Sequence, residues 1–133
     1  MEFPAEISSL EEIFNLLKVS LSTSDEIRKR IELAVEEVIV NIISYSGSPK
    51  LDVDVMEASG VAYITIKDWG KSFNPLVHEE VLQETEPLEE VVEGGLGIFF
   101  LKKLMDEMTY ERVGDQNVLK IKKSLFNAGE ATG

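Results

Sequence analysis

The fold is decided by residues 25–45, which read DEIRKRIELAVEEVIVNIISY. Ser24 is a favourable N-cap, and the acidic residues Asp25 and Glu26 suit the positive end of a helix dipole. A Gly-Ser-Pro run at 47–49 ends the pattern. The apolar residues between these signals recur at helical spacing and form one stripe: Ile27, Ile31, Ala34, Val35, Val38 and Ile42. The stretch therefore predicts a long helix with one face in the core.

Shorter periodic segments place the other elements around this helix, and turn residues separate them. The expected elements are a helix over 8–20, an antiparallel hairpin with strands at 51–55 and 61–68, a helix over 97–108, and strands over 109–113 and 117–124. Their order predicts an α+β fold, a two-layer sandwich in which helices cover one face of a mostly antiparallel sheet. We expect one domain over residues 1–126 and a disordered tail over 127–133.

The charge and composition of the chain exclude several classes of protein. Its 133 residues include 25 acidic and 13 basic ones, for a formal net charge of −12, and we expect no nucleic-acid binding because phosphate repels such a surface. The absence of cysteine excludes disulfides and cysteine-ligated zinc. Neither a secretory signal nor an apolar run of membrane-spanning length is present, so we expect a cytoplasmic protein that does not enter a membrane.

Glu37 and Asn41 lie four residues apart, so they project from the same face of the long helix. Asn41 is surrounded in sequence by apolar residues, and a buried amide left unpaired costs about 1–3 kcal/mol. One explanation is a metal ion bound through the side-chain oxygen of Asn41, with Glu37 beside it. The other is a structural asparagine bonded to neighbouring backbone. The pair alone leaves both explanations open.

Asp68 ends a predicted strand in step with Ile64 and Ile66, so it faces the covered, apolar side of the sheet. A carboxylate in such a place needs a hydrogen-bond donor. The amino group of an adenine is one candidate. An Asx-type turn that closes the strand, with Gly70 two residues later, is the other.

Glycines at positions 94, 95 and 97 lead into the helix predicted over 97–108. Glycines at a helix N-terminus let backbone N–H groups approach a phosphate, and the helix dipole favours the anion. An acidic protein needs this kind of site, because it holds phosphates only through backbone N–H groups and a metal ion. A flexible hinge is the alternative. The preceding segment, 76–93, carries seven Glu and no Lys or Arg.

Together and in this order, the three patterns resemble the N, G1 and G2 boxes of the ATPase fold shared by gyrase, the heat-shock chaperone ATPase, sensor histidine kinases and the mismatch-repair ATPase. Within that superfamily the chain is most similar to the anti-sigma regulatory factors with serine kinase activity, over residues 20–125. The matching residues are Glu37-Val38-Ile39-Val40-Asn41, then Asp68-Trp69-Gly70 with Phe73-Asn74-Pro75, then Gly94-Gly95-Leu96-Gly97-Ile98.

The resemblance implies a role for four residues of the first two boxes. Glu37 matches the general base that accepts a proton from a substrate serine hydroxyl, and Asn41 matches the magnesium ligand. Asp68 matches the carboxylate that binds the adenine amino group. Gly70 matches the glycine that lets the base lie close to the backbone.

The resemblance also implies ligands and partners. Gly95 and Gly97 match the glycines near the phosphates, and 76–93 matches the ATP lid. The implied ligands are ATP or ADP and Mg²⁺. The implied partners are a sigma factor, an anti-sigma antagonist protein, or both, and a homodimer is a common assembly in that family.

Three features depart from the family pattern. Tyr45 stands where many relatives have His, and Asn117 stands where a Thr often opens the last strand near the adenine. The segment 76–93 offers no cation to the terminal phosphate, although phosphoryl transfer depends on such charge stabilisation. Lys71 is the nearest cation by sequence.

These features support two hypotheses of function. The first is a serine protein kinase that phosphorylates a serine of an antagonist protein, sequesters a sigma factor, or does both; the presence of Glu37 favours it. The second is a non-catalytic module that binds adenine nucleotides, which the cation-free segment favours. A third, the catalytic domain of a sensor histidine kinase, ranks last because it needs a dimerisation helix with a phospho-accepting histidine, and His78 is unsuitably placed.

Overall fold

The computed structural model describes residues 1–74 and 104–126 of the chain. In these residues, two helices lie against one face of a five-stranded sheet, and a 3₁₀ turn precedes the first helix. The elements are β1 (Glu2–Pro4), the turn Ile7–Ser9, α1 (Leu10–Ser20), α2 (Asp25–Tyr45), β2 (Lys50–Ala58), β3 (Val61–Asp68), β4 (Glu107–Val113) and β5 (Gln116–Ser124).

The strand order in the sheet is β1-β2-β3-β5-β4, and every described pair is antiparallel. The registers carry the end of β3 and the start of β5 to the same point, where Asp68 lies opposite Asn117. Across the next pair, Asn117 lies opposite Arg112 of β4. Because alternate residues of a strand share a face, Asp68 points to the same side as Ile66 and Ile64, toward the helices.

The long helix forms for the reasons that its sequence indicates. The Ser24 side chain accepts a hydrogen bond from the backbone N–H of Ile27, at 3.3 Å, and so caps the first turn. The apolar stripe of α2 packs on the sheet, where its residues are almost fully buried. The core joins this stripe to the inner faces of β2, β3 and β5, with residues such as Ile31, Val35, Ile39, Leu51, Val53, Ile64, Ile66 and Ile121.

The predicted α+β sandwich is confirmed, and the long helix has the bounds that its pattern predicts. The helix predicted over 97–108 is wrong at its C-terminal end, because β4 begins at Glu107 rather than 109. The chain joins β5 early, since the backbone N–H of Asp106 donates to the Lys122 carbonyl at 2.9 Å. In the sequence, Met108 continues the helical spacing of the apolar residues before it. In the structure, it lies opposite Ile121 in the β4–β5 pair.

The sequence does not predict β1. Three residues are too few for a pattern, yet Phe3 is buried and lies opposite Leu51 of β2. The Met1 ammonium also lies 3.2 Å from a carboxylate oxygen of Asp52.

Several predictions fall on residues outside the described ones: the acidic segment 76–93, the glycines Gly94, Gly95 and Gly97, the helix up to 103, and the tail 127–133. Neither described helix has the length and apolar character that crossing a bilayer requires.

Candidate functional site

A narrow slot lies where β3 ends, between the sheet and α2; its empty volume, which includes the solvent at its mouth, is about 220 Å³. Its walls are aliphatic and aromatic, and two polar residues lie at one end. The space between the walls is wide enough for about one water molecule. The lining residues are Val38 and Ile42 of α2, Ile66 and Asp68 of β3, Phe73, Tyr110 of β4, and Asn117 and Leu119 of β5. Flat apolar walls with a few converging polar groups are typical of sites for aromatic ligands.

The Asp68 carboxylate is the most deeply buried charged group of the slot, with 2% of the residue exposed. One oxygen, Oδ1, accepts hydrogen bonds from the Gly70 backbone N–H and from the Asn117 side-chain amide, both at 2.9 Å. The first of these bonds is the Asx-type turn that the sequence suggests. The other oxygen, Oδ2, accepts no hydrogen bond from the residues of 1–74 and 104–126. The turn therefore uses half of the carboxylate and leaves one acceptor in the slot.

Asn117 joins this carboxylate to the loop that follows β3. Its amide nitrogen donates to Asp68 Oδ1 at 2.9 Å and to the Lys71 carbonyl at 2.8 Å. Its oxygen accepts from the Tyr110 hydroxyl at 2.6 Å and from the Phe73 N–H at 3.2 Å. It also lies 3.2 Å from Nη1 of Arg112, which donates to the Gly70 carbonyl at 2.8 Å.

Gly70 has a structural role in the same loop. A Cβ added at this position would overlap the backbone and side chain of Ser46, the C-cap of α2. The backbone N–H of Lys71 donates to the Ser46 carbonyl at 2.9 Å, which seals the contact. Close packing of the loop on α2 is therefore reason enough for a glycine here, alongside the adenine contact that the resemblance implies.

We expect Gly70→Ala to lower both stability and ligand binding. Overpacking of this kind typically costs about 1–3 kcal/mol of unfolding free energy, and here it also pushes the loop away from α2. Urea unfolding and nucleotide titration measure the two effects. Gly114→Ala is the matched control: its Cβ meets open space and only its positive φ of 60° is strained, so it should affect stability alone. Equal nucleotide affinity in the two variants would contradict this role of Gly70.

Glu37 and Asn41 lie on α2, one residue before Val38 and Ile42 respectively, and these two neighbours line the slot. Asn41 is 6% exposed, and its side chain makes no hydrogen bond with the residues of the two described ranges. Residues 1–74 and 104–126 thus provide no backbone partner of the kind that a structural asparagine would have. Glu37 is partly buried, and this burial raises the pKa of its carboxyl above the ordinary value of 4.5. The negative charge of Glu36 raises the pKa further.

A raised pKa makes Glu37 destabilising at neutral pH. As pH rises above 4.5, the unfolded state loses the Glu37 proton first, while the folded state still binds it. Stability therefore falls as pH rises through the folded pKa. We expect Glu37→Gln to unfold at a higher urea concentration than wild type at pH 7 and to lose that advantage near pH 4. Gln at the exposed Glu11 of α1 is the control and should change neither value. A gain that does not depend on pH would show that ionisation is not the cause.

The residues of the slot fit a nucleotide with a magnesium ion. A carboxylate oxygen that accepts no hydrogen bond from the described residues suits the amino group of an aromatic base. The described residues contain no cluster of three or more His, Asp or Glu side chains that could hold a metal alone. Mg²⁺ does not need one, because it keeps several waters and binds through one or two protein oxygens plus substrate phosphates. Asn41 offers such an oxygen.

Sequence reasoning missed the residues that fix the slot in place. Tyr110 and Arg112 alternate with Glu111 along β4, and this alternation would have placed both on the inner face. Tyr45, at the position of the family histidine, packs its ring against Phe73 with centroids 5.2 Å apart. No sequence pattern predicts that contact, because it joins the end of a helix to a loop.

Comparisons with known proteins agree with this fold. The chain is 29% identical over 110 residues to the serine-protein kinase RsbW of Oceanobacillus iheyensis, a match that covers 75% of this chain and 66% of that relative. Among solved structures, it is similar to the Acinetobacter baumannii histidine kinase AdeS, with a TM-score of 0.53 and 23% identity. That match covers 75% of this chain and 48% of AdeS, so the chain spans about half of AdeS and less than two thirds of RsbW. The family profile of the histidine kinase-like ATPase domain matches residues 3–123, which is most of the chain, and the chain belongs to this family.

Proposed function

We propose that this protein binds Mg-ATP in the slot and transfers the terminal phosphoryl group to a serine of a partner protein, as an anti-sigma-type regulatory kinase. One observation carries the proposal: the Asp68 carboxylate lies at the end of an apolar slot, and its Oδ2 accepts no hydrogen bond from the residues of 1–74 and 104–126. A carboxylate oxygen that faces such a slot binds a hydrogen-bond donor well, so a ligand with an amino group is the expected partner. The similarity to RsbW supports the serine kinase assignment.

The slot residues divide the work of binding. The Oδ2 atom of Asp68 would accept a hydrogen bond from the adenine amino group, and the aliphatic side chains of Val38, Ile42 and Leu119 would pack on the ring. Asn41 would hold the magnesium ion through its side-chain oxygen.

Glu37 acts as the general base. It lies four residues before Asn41 on the same face of α2, so it would accept the proton of a serine hydroxyl that attacks the terminal phosphate, and ADP would leave. Its raised pKa makes the carboxylate a better proton acceptor than an ordinary glutamate. Mg-ATP, when bound, supplies the phosphoryl group that the serine oxygen receives.

The partner is inferred from the resemblance of the sequence to the anti-sigma regulatory factors. We propose an antagonist protein with an acceptor serine, or a sigma factor held by this chain, in the cytoplasm. A non-catalytic nucleotide-binding module is the second candidate function. The sequence of 76–93 favours it, since seven Glu and no Lys or Arg provide no cation for the transferred phosphoryl group.

A transfer assay separates these two functions. Wild-type protein is incubated with Mg-ATP labelled on the terminal phosphate and with a candidate antagonist protein, and the label on serine is measured. We expect slow transfer, because the acidic segment lacks a cation. Protein that binds ATP in a parallel titration and labels no antagonist serine would be a binding module.

A further inference from the structure

We propose that a groove between α1 and α2 binds the substrate segment that carries the acceptor serine, and that it selects a segment with an apolar and an acidic residue at fixed distances from that serine. This inference rests on the proposed function, since it specifies the substrate of the same kinase. The groove shares no lining residue with the slot proposed for the nucleotide. Its lining residues are Phe14 of α1 and Lys29, Glu32, Leu33 and Glu36 of α2.

Leu33 is an exposed apolar residue in the middle of α2. It is 53% exposed, although its neighbours Ala34 and Val35 are fully buried. The half-buried Phe14 forms the wall of the groove on the α1 side. The groove is open, and its empty volume of about 460 Å³ includes the solvent at its mouth. An apolar side chain of a partner would pack well between these two walls, because the contact removes apolar area from water.

The groove begins beside the proposed base. Leu33 lies four residues before Glu37, so the two side chains share a face of α2 and are about 6 Å apart along the helix axis. Glu36, which also lines the groove, is the sequence neighbour of Glu37. In an extended segment, residues two positions apart are about 7 Å apart and point to the same side. An apolar residue two positions from a serine held at Glu37 would therefore reach Leu33.

The charges of the groove determine where an acidic residue of the substrate fits. Lys29, about 12 Å before Glu37 along the helix axis, makes no ion pair with any residue that the structure describes. The charge of Glu32 is compensated by Arg28, whose Nε lies 3.5 Å from its carboxylate. Glu36 is exposed and adds negative charge beside Glu37, so it repels an acidic residue there. An acidic residue four positions from the serine, about 13 Å away in an extended segment, would reach Lys29.

The test titrates the isotope-labelled protein with short alanine-based peptides that carry one serine, a leucine two positions away and an aspartate four positions away, in both chain directions. We expect one direction to shift the signals of Phe14, Lys29 and Leu33 and to bind about tenfold more tightly than a peptide with lysine in place of the aspartate. Lys29→Glu should reverse that preference. Leu33→Ala should weaken binding about 3- to 10-fold. Val19→Ala, 81% exposed on α1 and outside the groove, is the control and should keep the wild-type affinity.

Labelling of the same peptides with Mg-ATP that carries a labelled terminal phosphate provides a second readout. Shifts in the groove together with preferred labelling of the patterned peptide would support both proposals. Shifts in the groove without labelling of any serine would support the docking site and overturn the kinase function. Labelling that ignores the leucine and the aspartate would overturn the docking site and leave the kinase function in place. Peptide shifts outside the groove, or no shifts at millimolar peptide, would also overturn the docking site.

Discussion

Asp68→Asn should lower the affinity for ATP about 10- to 150-fold and leave the fold intact. The estimate is the loss of one hydrogen bond to a charged group, about 1.5–3 kcal/mol. The variant amide keeps an oxygen in the place of Oδ1, where it still accepts from Gly70 and Asn117. It presents an NH₂ group in the place of Oδ2, and that donor faces the adenine amino group. Calorimetry with Mg-ATP measures the change.

The change at Asp68 also predicts the opposite effect on ITP. An amide at this position can donate to the carbonyl oxygen of hypoxanthine, so the affinity for ITP should rise or hold while that for ATP falls. A variant that is merely unstable would lose both. Unchanged ATP affinity in a folded Asp68→Asn protein would show that this carboxylate does not bind the base.

Glu37→Gln should retain ATP binding and lower the rate of phosphoryl transfer to the partner serine about 10²- to 10⁴-fold, the usual contribution of a general base. The amide has nearly the same shape but cannot accept the serine proton. Asn41→Ala should behave differently, because it removes the magnesium ligand and weakens Mg-ATP binding itself. Single-turnover transfer at saturating Mg-ATP separates the two effects.

Glu36→Gln is the matched control for Glu37. It removes the same charge one residue away on α2, at an exposed position. The rate for this variant should fall far less than that for Glu37→Gln, because Glu36 is only the smaller of the two causes that raise the pKa of Glu37. If Glu36→Gln and Glu37→Gln slow the transfer equally, the loss of a negative charge on α2 causes the slower transfer, and Glu37 is not the base.

The sequence predicts the parts of the fold that repeat a local pattern. The stripe and the cap of α2 are visible in the sequence alone, and so is the alternation of β2 and β3. The position of Asp68 follows from its step with Ile64 and Ile66, because the two-residue period of a strand extends to its last residue.

The parts that sequence reasoning missed depend on contacts distant in the chain. Met108 fits a helical stripe in the sequence, but its pairing with β5 places it in a strand. The role of Gly70 requires knowing that Ser46 lies against it, and these two residues are joined only by tertiary packing. Asn117 is noticeable in the sequence as a departure from a family pattern. Its bonds to Asp68, Lys71 and Phe73 join it to one segment that lies 44 to 49 residues earlier in the chain.

The central claim is that the slot between α2 and the end of β3 binds the adenine of ATP. The most direct measurement is a titration of the ¹⁵N-labelled protein with Mg-ATP, followed by NMR. We predict the largest shifts at the backbone amides of Gly70 and Phe73 and at the side-chain amide of Asn117, with Thr109 and Lys120 on the opposite face of the sheet unchanged. Shifts confined to that opposite face, or no shifts at millimolar Mg-ATP, would contradict the account.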